Sequence, residues 1–160
     1  MQPFESLDPK VIPLQRIQGS LFVLMLAIGS FIALLVVADD MDRGSRNLLG
    51  ALWFLFAVGG SWQALLWPAR AYRHTSYRID DEGIEIRRGV YWRIVLNVPR
   101  SRVQHIDVSQ GPIERRYGLG TLVIYTAGTE HAKVDLEGLE HGRALQIRQQ
   151  LLPEGTADAV

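Results

Sequence analysis

The chain contains no cysteine, which excludes disulfide stapling, thiol nucleophiles and thiolate-bound metal. It also lacks net charge, since 17 Lys and Arg balance 17 Asp and Glu. No whole-chain field therefore favours nucleic acid or another polyanion, and any electrostatic role must be local. Catalytic motifs are missing too: G-x-S-x-G, H-E-x-x-H and Walker sequences do not occur. The four histidines, His74, His105, His131 and His141, are scattered without ligand spacing. Gly118-Leu119-Gly120 imitates a dinucleotide fingerprint, but it precedes a strand pattern instead of following one. Asp80-Asp81-Glu82 is acidic, yet its neighbours place it in a tight turn, where such residues are common. These absences argue against an enzyme and leave no cofactor or metal to assign.

What the chain does have is apolar length. Gly19 to Ala38 runs GSLFVLMLAIGSFIALLVVA without a charge or a proline, and twenty helical residues span about 30 Å, the thickness of a bilayer core. Leu48 to Trp67 is similar, with Gln63 as its one strongly polar side chain. Both runs are apolar all round, whereas a helix on a soluble surface keeps one polar face. Val36-Val37-Ala38 offers a small-residue pattern that a signal peptidase accepts, but the apolar stretch is long for a signal sequence and its leader carries Glu5 and Asp8. The connection Asp39 to Asn47 is short and polar, so the two spans form an antiparallel hairpin. The pairs Gly29 and Ala33, Ala57 and Ser61, and Gly60 and Ala64 lie four apart, a spacing that lets helices approach closely within the hairpin or between copies.

The hairpin puts both flanks on one side. Lys10, Arg16, Arg70, Arg73 and Arg78 flank it, against Arg43 and Arg46 in its loop, and this excess favours cytoplasmic flanks and termini. Trp67, Arg70, Tyr72 and Arg73, with Tyr77 beyond them, suit the membrane interface, where amphipathic aromatics and basic residues gather. The expected organisation is a cytoplasmic segment at 1–18, a transmembrane hairpin at 19–67, a soluble domain at 68–152 and a tail at 153–160.

After Pro68 the hydrophobic period shortens to about two, and β-branched and aromatic residues fall between Gly, Asp and Pro. Strands are expected at Thr75–Asp80, Gly83–Arg88, Arg93–Val98, Val103–Ser109, Thr121–Thr126 and Lys133–Leu136. Gly83 closes a hairpin turn with positive φ, and the broken alternation at Gln104-His105 suggests a bulge. In Gly111-Pro112-Ile113-Glu114-Arg115-Arg116-Tyr117-Gly118, the proline begins a helical turn and Gly118 ends it. Glu140 to Leu152 is a helix with Ala144, Ile147 and Leu151 on one stripe, stopped by Pro153. The fold class is α+β.

The run YRIDDEGIEIRRGVYWRIVLNVPRSRVQHIDVSQGPIERRYGLGTLVIYTAG, followed by VDLEGLEHGRALQIRQQL, resembles the bacterial PH-like (pleckstrin-homology-like) family of membrane-flanked domains. The resemblance extends from Tyr72 to Leu152. It rests on Asp81-Glu82-Gly83, Val98-Pro99, Gln110-Gly111-Pro112, Tyr117-Gly118-Leu119-Gly120 and Thr126-Ala127-Gly128. It implies a β barrel or pair of packed sheets capped by the C-terminal helix and a non-enzymatic protein, while the hairpin with its basic flanks makes the bacterial cytoplasmic membrane the expected location. It names no ligand, because function must be argued from a site.

One local feature is charge. Between Ile84 and Arg116 stand Arg87, Arg88, Arg93, Arg100, Arg102, Arg115 and Arg116, against Glu85, Asp107 and Glu114. Beside a bilayer such arginines can meet anionic headgroups, provided that strand alternation does not scatter them. The sequence thus supports a membrane-tethered interaction module that binds a protein, itself or a related membrane-flanked PH-like protein. Anionic-lipid binding by those arginines is the alternative, and an accessory role in a transporter or envelope-stress complex is a third.

Overall fold

A chain crossing hydrocarbon must satisfy its backbone polar groups internally, and the two apolar runs do so as helices. The computed structural model describes residues 3–38, 41–127 and 133–152. Asp39 and Asp40 of the hairpin connection, Gly128, His131 and the segment from Pro153 onward lie outside the described residues. The chain divides into two compact units, Gln15–Pro68 and Met1–Leu14 with Ala69–Val160.

The first helix, α1, covers Val11–Ala38, and the second, α2, covers Arg43–Arg73. Both exceed the expected spans of 19–38 and 48–67. Pro13 sits in the first turn of α1, where a missing N–H costs nothing. Pro68 does not end α2; a single proline removes one backbone bond, and the helix continues to Arg73. Asp42 caps the start of α2: its carboxylate accepts the Ser45 N–H at 3.1 Å and the Ser45 hydroxyl at 2.7 Å. These bonds, the hydroxyl's first, hold the Asp42 carboxyl below the usual range.

Small residues let α1 and α2 touch. A Cβ added to Gly19 would stand 3.3 Å from Ala64 Cβ, and one added to Gly60 would stand 3.3 Å from Val23. The Gly60 and Ala64 pair thus packs the hairpin. Nothing lies within 4 Å of a Cβ added to Gly29. The Trp53 indole N–H donates to the Ala27 carbonyl at 3.2 Å and the Ser30 hydroxyl at 3.1 Å, while its ring meets Phe31 at 5.0 Å. Arg16 Nε donates to the Leu65 carbonyl at 2.9 Å. Large residues such as Phe22, Met25, Phe54 and Leu55 point outward from the pair, as lipid-facing side chains should.

The other unit is a sandwich of two antiparallel sheets. One contains β1 (Glu5–Ser6), β2 (Ser76–Asp80), β3 (Gly83–Arg88) and β4 (Ile94–Pro99), in that order. The second contains β5 (Val103–Ser109), β6 (Leu119–Thr126) and β7 (Lys133–Glu140). A short helix, α3 (Pro112–Tyr117), joins β5 to β6, and α4 (His141–Leu151) packs on the second sheet. The α+β class and the two-sheet fold with its helical cap are as the sequence led one to expect. Gly83 and Gly118 take φ of 153° and 68°, and the β5–β6 register shifts between Val103 and His105, where the bulge was expected. Ala144, Ile147 and Leu151 are the buried stripe of α4.

Strand ends differ from the sequence reading for identifiable reasons. β6 begins at Leu119 because Leu119 and Gly120 pair with Glu140 and Leu139. β7 correspondingly runs past Leu136 to Glu140, through a glycine that patterning treats as a breaker. Gly138 has φ 80°, and a Cβ there would collide with Val11. Its carbonyl accepts the Asp8 N–H at 3.0 Å. That glycine admits the N-terminal segment.

This segment, named from the sequence as the N-terminal part of 1–18, belongs to the same compact unit as the sandwich. Leu7, Val11 and Leu14 are buried in the same core as Ile84, Ile86, Leu122, Ile124, Leu136 and Ile147, and each buried aliphatic is worth about 1.5–3 kcal/mol. Glu5 then fastens it. The Tyr77 hydroxyl donates to Glu5 Oε2 at 2.7 Å, and Arg143 of α4 donates to both carboxylate oxygens, Nη2 at 2.6 Å and Nε at 3.2 Å. Phe4 lies under the guanidinium of Arg87 at 3.9 Å and that of Arg78 at 4.9 Å. Tyr77, expected in an interfacial belt, is a core residue at 2% exposure. It lies on the inner face of β2, between the N-terminal strand and β3.

Glu5→Ala leaves the Tyr77 hydroxyl without its acceptor, and we expect a loss of about 1–3 kcal/mol, read by thermal unfolding of the detergent-solubilised chain. Burial, reinforced by the hydrogen bond to Glu5, pushes the Tyr77 pKa from 10.0 to about 12. The folded state holds this proton more tightly. Its contribution is therefore complete below pH 10 and is lost as pH rises towards 12; tyrosinate absorbance followed with unfolding should show both changes, and neither in Tyr77→Phe.

Candidate functional site

Side chains on a six-residue strand are dealt alternately to two faces and spread over about 17 Å, so a cluster in sequence need not be one in space. The seven arginines show this. Arg87 and Arg88 end β3 and Arg93 precedes β4, while Arg100 and Arg102 follow β4 at the other end of the sheet, where Gly83 pairs with Pro99. Arg115 and Arg116 are exposed on α3.

Several of these arginines are already engaged. Arg87 Nη2 lies 2.8 Å from Glu85 Oε1 in addition to covering Phe4. Arg88 Nη1 reaches the Asp135 carbonyl at 3.5 Å. Arg100 Nη2 donates to the Leu152 carbonyl at 3.0 Å, tying the end of β4 to the end of α4. Arg102 carries its charge on a single 3-10 turn, Arg100–Arg102, beside a groove.

The residues assigned to the membrane interface also separate. Arg70 and Arg73 are exposed in the last turn of α2, where cations complement the helix dipole. Tyr72 packs against the domain core instead, and Trp67 is half-buried.

The acidic turn, His74 and His105 make local contacts among the described residues. Asp80 Oδ1 accepts the N–H groups of Glu82 and Gly83, each at 3.2 Å, which is turn geometry. His74 Nδ1 is 2.8 Å from the Arg70 carbonyl and His105 Nε2 is 2.6 Å from Asp107. Among the described residues no three His, Asp or Glu side chains converge as a metal site.

Two surfaces escaped the sequence reading. The first is a groove of about 270 Å³ along β4, lined by Val95, Asn97, Pro99, Arg102, Thr126 and Val134. β4 is the outer strand of its sheet. The Arg100 N–H bonds the Glu82 carbonyl at 2.8 Å and Pro99 has no N–H, so antiparallel alternation turns the backbone groups of Val95 and Asn97 away from β3. The second is the β3–β4 connection, where Tyr91 and Trp92 are 81% and 85% exposed. Its signal was present as two adjacent aromatics between strands, in the run Gly89-Val90-Tyr91-Trp92-Arg93.

The model of the family described as Bacterial PH domain matches residues 20–154. The chain belongs to the bacterial PH domain family. The matched region includes both apolar helices as well as the sandwich. This bacterial PH domain protein is 32% identical over 145 residues to the UPF0699 transmembrane protein YdbS of Bacillus subtilis (strain 168), covering 89% of this chain and 88% of that protein. No solved structure matches it. With a transmembrane relative and two helices long and apolar enough to cross, the bacterial PH domain protein is an integral membrane protein.

The arginines differ in what removing them should do. Arg100→Ala takes away the charge-assisted bond to the Leu152 carbonyl and should lower stability by about 1.5–3 kcal/mol. The double variant Arg115→Ala with Arg116→Ala should stay within about 0.5 kcal/mol of the parent. Thermal unfolding of the full chain in one detergent compares them directly.

Proposed function

We propose that this protein is a membrane-anchored, non-enzymatic interaction module whose PH-like domain pairs at the membrane with a second copy of itself or with a related membrane-flanked domain. The observation that carries this reading is the outer strand β4. Outer strands are commonly blunted by charge or shortness, whereas β4 is six residues long and leaves Ile94 and Val95 46% and 59% exposed. A second strand laid along β4 would meet the outward backbone groups of Val95 and Asn97 and find side-chain space in the adjoining groove, the mode known as β-augmentation. Tethering in two dimensions raises effective concentration, so a weak strand-to-strand contact suffices.

The domain faces the cytoplasm in this proposal, with both termini on that side of the cytoplasmic membrane. Lys10, Arg16, Arg70, Arg73 and Arg78 outnumber Arg43 and Arg46, which supports that orientation. Protease added to inverted vesicles should then cut the domain, and protease added to intact cells should spare it.

Asn97→Pro removes an outward N–H while leaving the bonds to β3 in place, so its stability should fall within about 1 kcal/mol of the parent. By size-exclusion chromatography with light scattering in mild detergent, the parent is expected to associate and Asn97→Pro to run as a monomer. Val95→Lys, which places a charge on the strand edge, should act in the same direction. A parent that is monomeric at all accessible concentrations, or an Asn97→Pro protein that associates as well as the parent, removes β4 as the interface.

A further inference from the structure

The β3–β4 connection, Gly89–Arg93, concentrates features that neither the core nor the β4 groove uses. Gly89 has φ 120°, and a Cβ there would collide with the Trp92 carbonyl. The turn is thus closed tightly, and Tyr91 and Trp92 on it are 81% and 85% exposed. They are the most exposed of the large hydrophobic side chains, ahead of every lipid-facing residue of α1 and α2 among those described. Arg88, whose bond to the Asp135 carbonyl is a long one at 3.5 Å, and Arg93 bracket them, and both are exposed. Aromatics with a polar edge beside guanidinium groups are the composition that favours the headgroup layer of an anionic bilayer.

Strand register says where on the domain this tip lies. Residues Ala69–Arg73 of α2 belong to the same compact unit as the sandwich, and the chain passes through His74 and Thr75 into β2 at Ser76. Ser76 pairs with Arg87. The tip therefore leaves the sheet at the end where the chain arrives from the apolar helix, and the Asp80–Gly83 turn lies at the opposite end. Arg73 is six residues beyond Trp67, about 9 Å along a helix, comparable with the roughly 5–8 Å of headgroup on each side of a bilayer.

We propose that the Gly89–Arg93 tip is a second membrane contact, in which Tyr91 and Trp92 enter the headgroup layer of the bilayer that holds α1 and α2 while Arg88 and Arg93 meet anionic lipid. The contact needs only the exposed aromatics and their flanking guanidinium groups. It stands apart from the β4 pairing, and either can fail without the other.

The absence of cysteine makes the test clean. Full-length Trp92→Cys, and separately Asp81→Cys on the far turn, are labelled with an environment-sensitive fluorophore and reconstituted into vesicles of phosphatidylglycerol and phosphatidylcholine. Spin-labelled lipid should quench the label at position 92 about twofold or more above that at position 81. Adding Arg88→Gln and Arg93→Gln should reduce the difference, as should raising salt or omitting phosphatidylglycerol. Tyr91→Cys reads the same contact where Trp92→Cys fails to fold. Equal quenching at the two ends of the sheet overturns the proposal. So does a tip shielded from aqueous iodide but not quenched by lipid, which would assign the tip to a protein partner.

Discussion

The carboxylate of Glu5 holds together three parts of the chain that are far apart in sequence. It accepts from Tyr77 on β2 and from Arg143 on α4, and so pins the N-terminal segment across the sandwich while Leu7, Val11 and Leu14 fill its core. The sandwich unit is consequently discontinuous: its first strand precedes both apolar helices, and its remaining strands follow them. Because folding of this unit closes a loop containing α1 and α2, the entropy of ordering residues 3–14 must be recovered from that burial. Gly138, which has no Cβ to collide with Val11 at that point of β7, makes the burial sterically feasible.

Two solvents then divide the apolar residues. In the sandwich, Ile84, Ile86, Leu122 and Ile124 leave water by packing on one another. In α1 and α2, Phe22, Met25, Phe54 and Leu55 stay on the outside, since lipid rewards apolar surface wherever it lies and helix contact is left to close packing. Gly19 against Ala64 and Gly60 against Val23 supply that packing, and the Trp53 indole uses the polar atoms of Ala27 and Ser30.

A basic cluster in the sequence does not survive folding as one patch. Antiparallel register sends Arg87, Arg88 and Arg93 to one end of their sheet and Arg100 and Arg102 to the other. Arg100 serves the fold through Leu152. The surfaces proposed for partners are smaller and of different kinds: the outward backbone of β4 beside its groove, and the aromatic tip between β3 and β4.

From composition and periodicity alone came the apolar spans, the α+β class, the strands Gly83–Arg88 and Val103–Ser109, the bulge near Gln104 and the buried stripe of α4. Each depends on interactions local in sequence, alternation or helical repeat, so the local pattern carries the information. The N-terminal strand was not legible, because two residues have no period and their partners lie some seventy positions away. The same is true of Gly138 as a seat for Val11, of Tyr77 as a core residue instead of an interfacial one, and of the division of the arginines. These were decided only by tertiary structure, since which groups share a surface depends on register and sheet order, and those are set when distant segments compete to bury the same core.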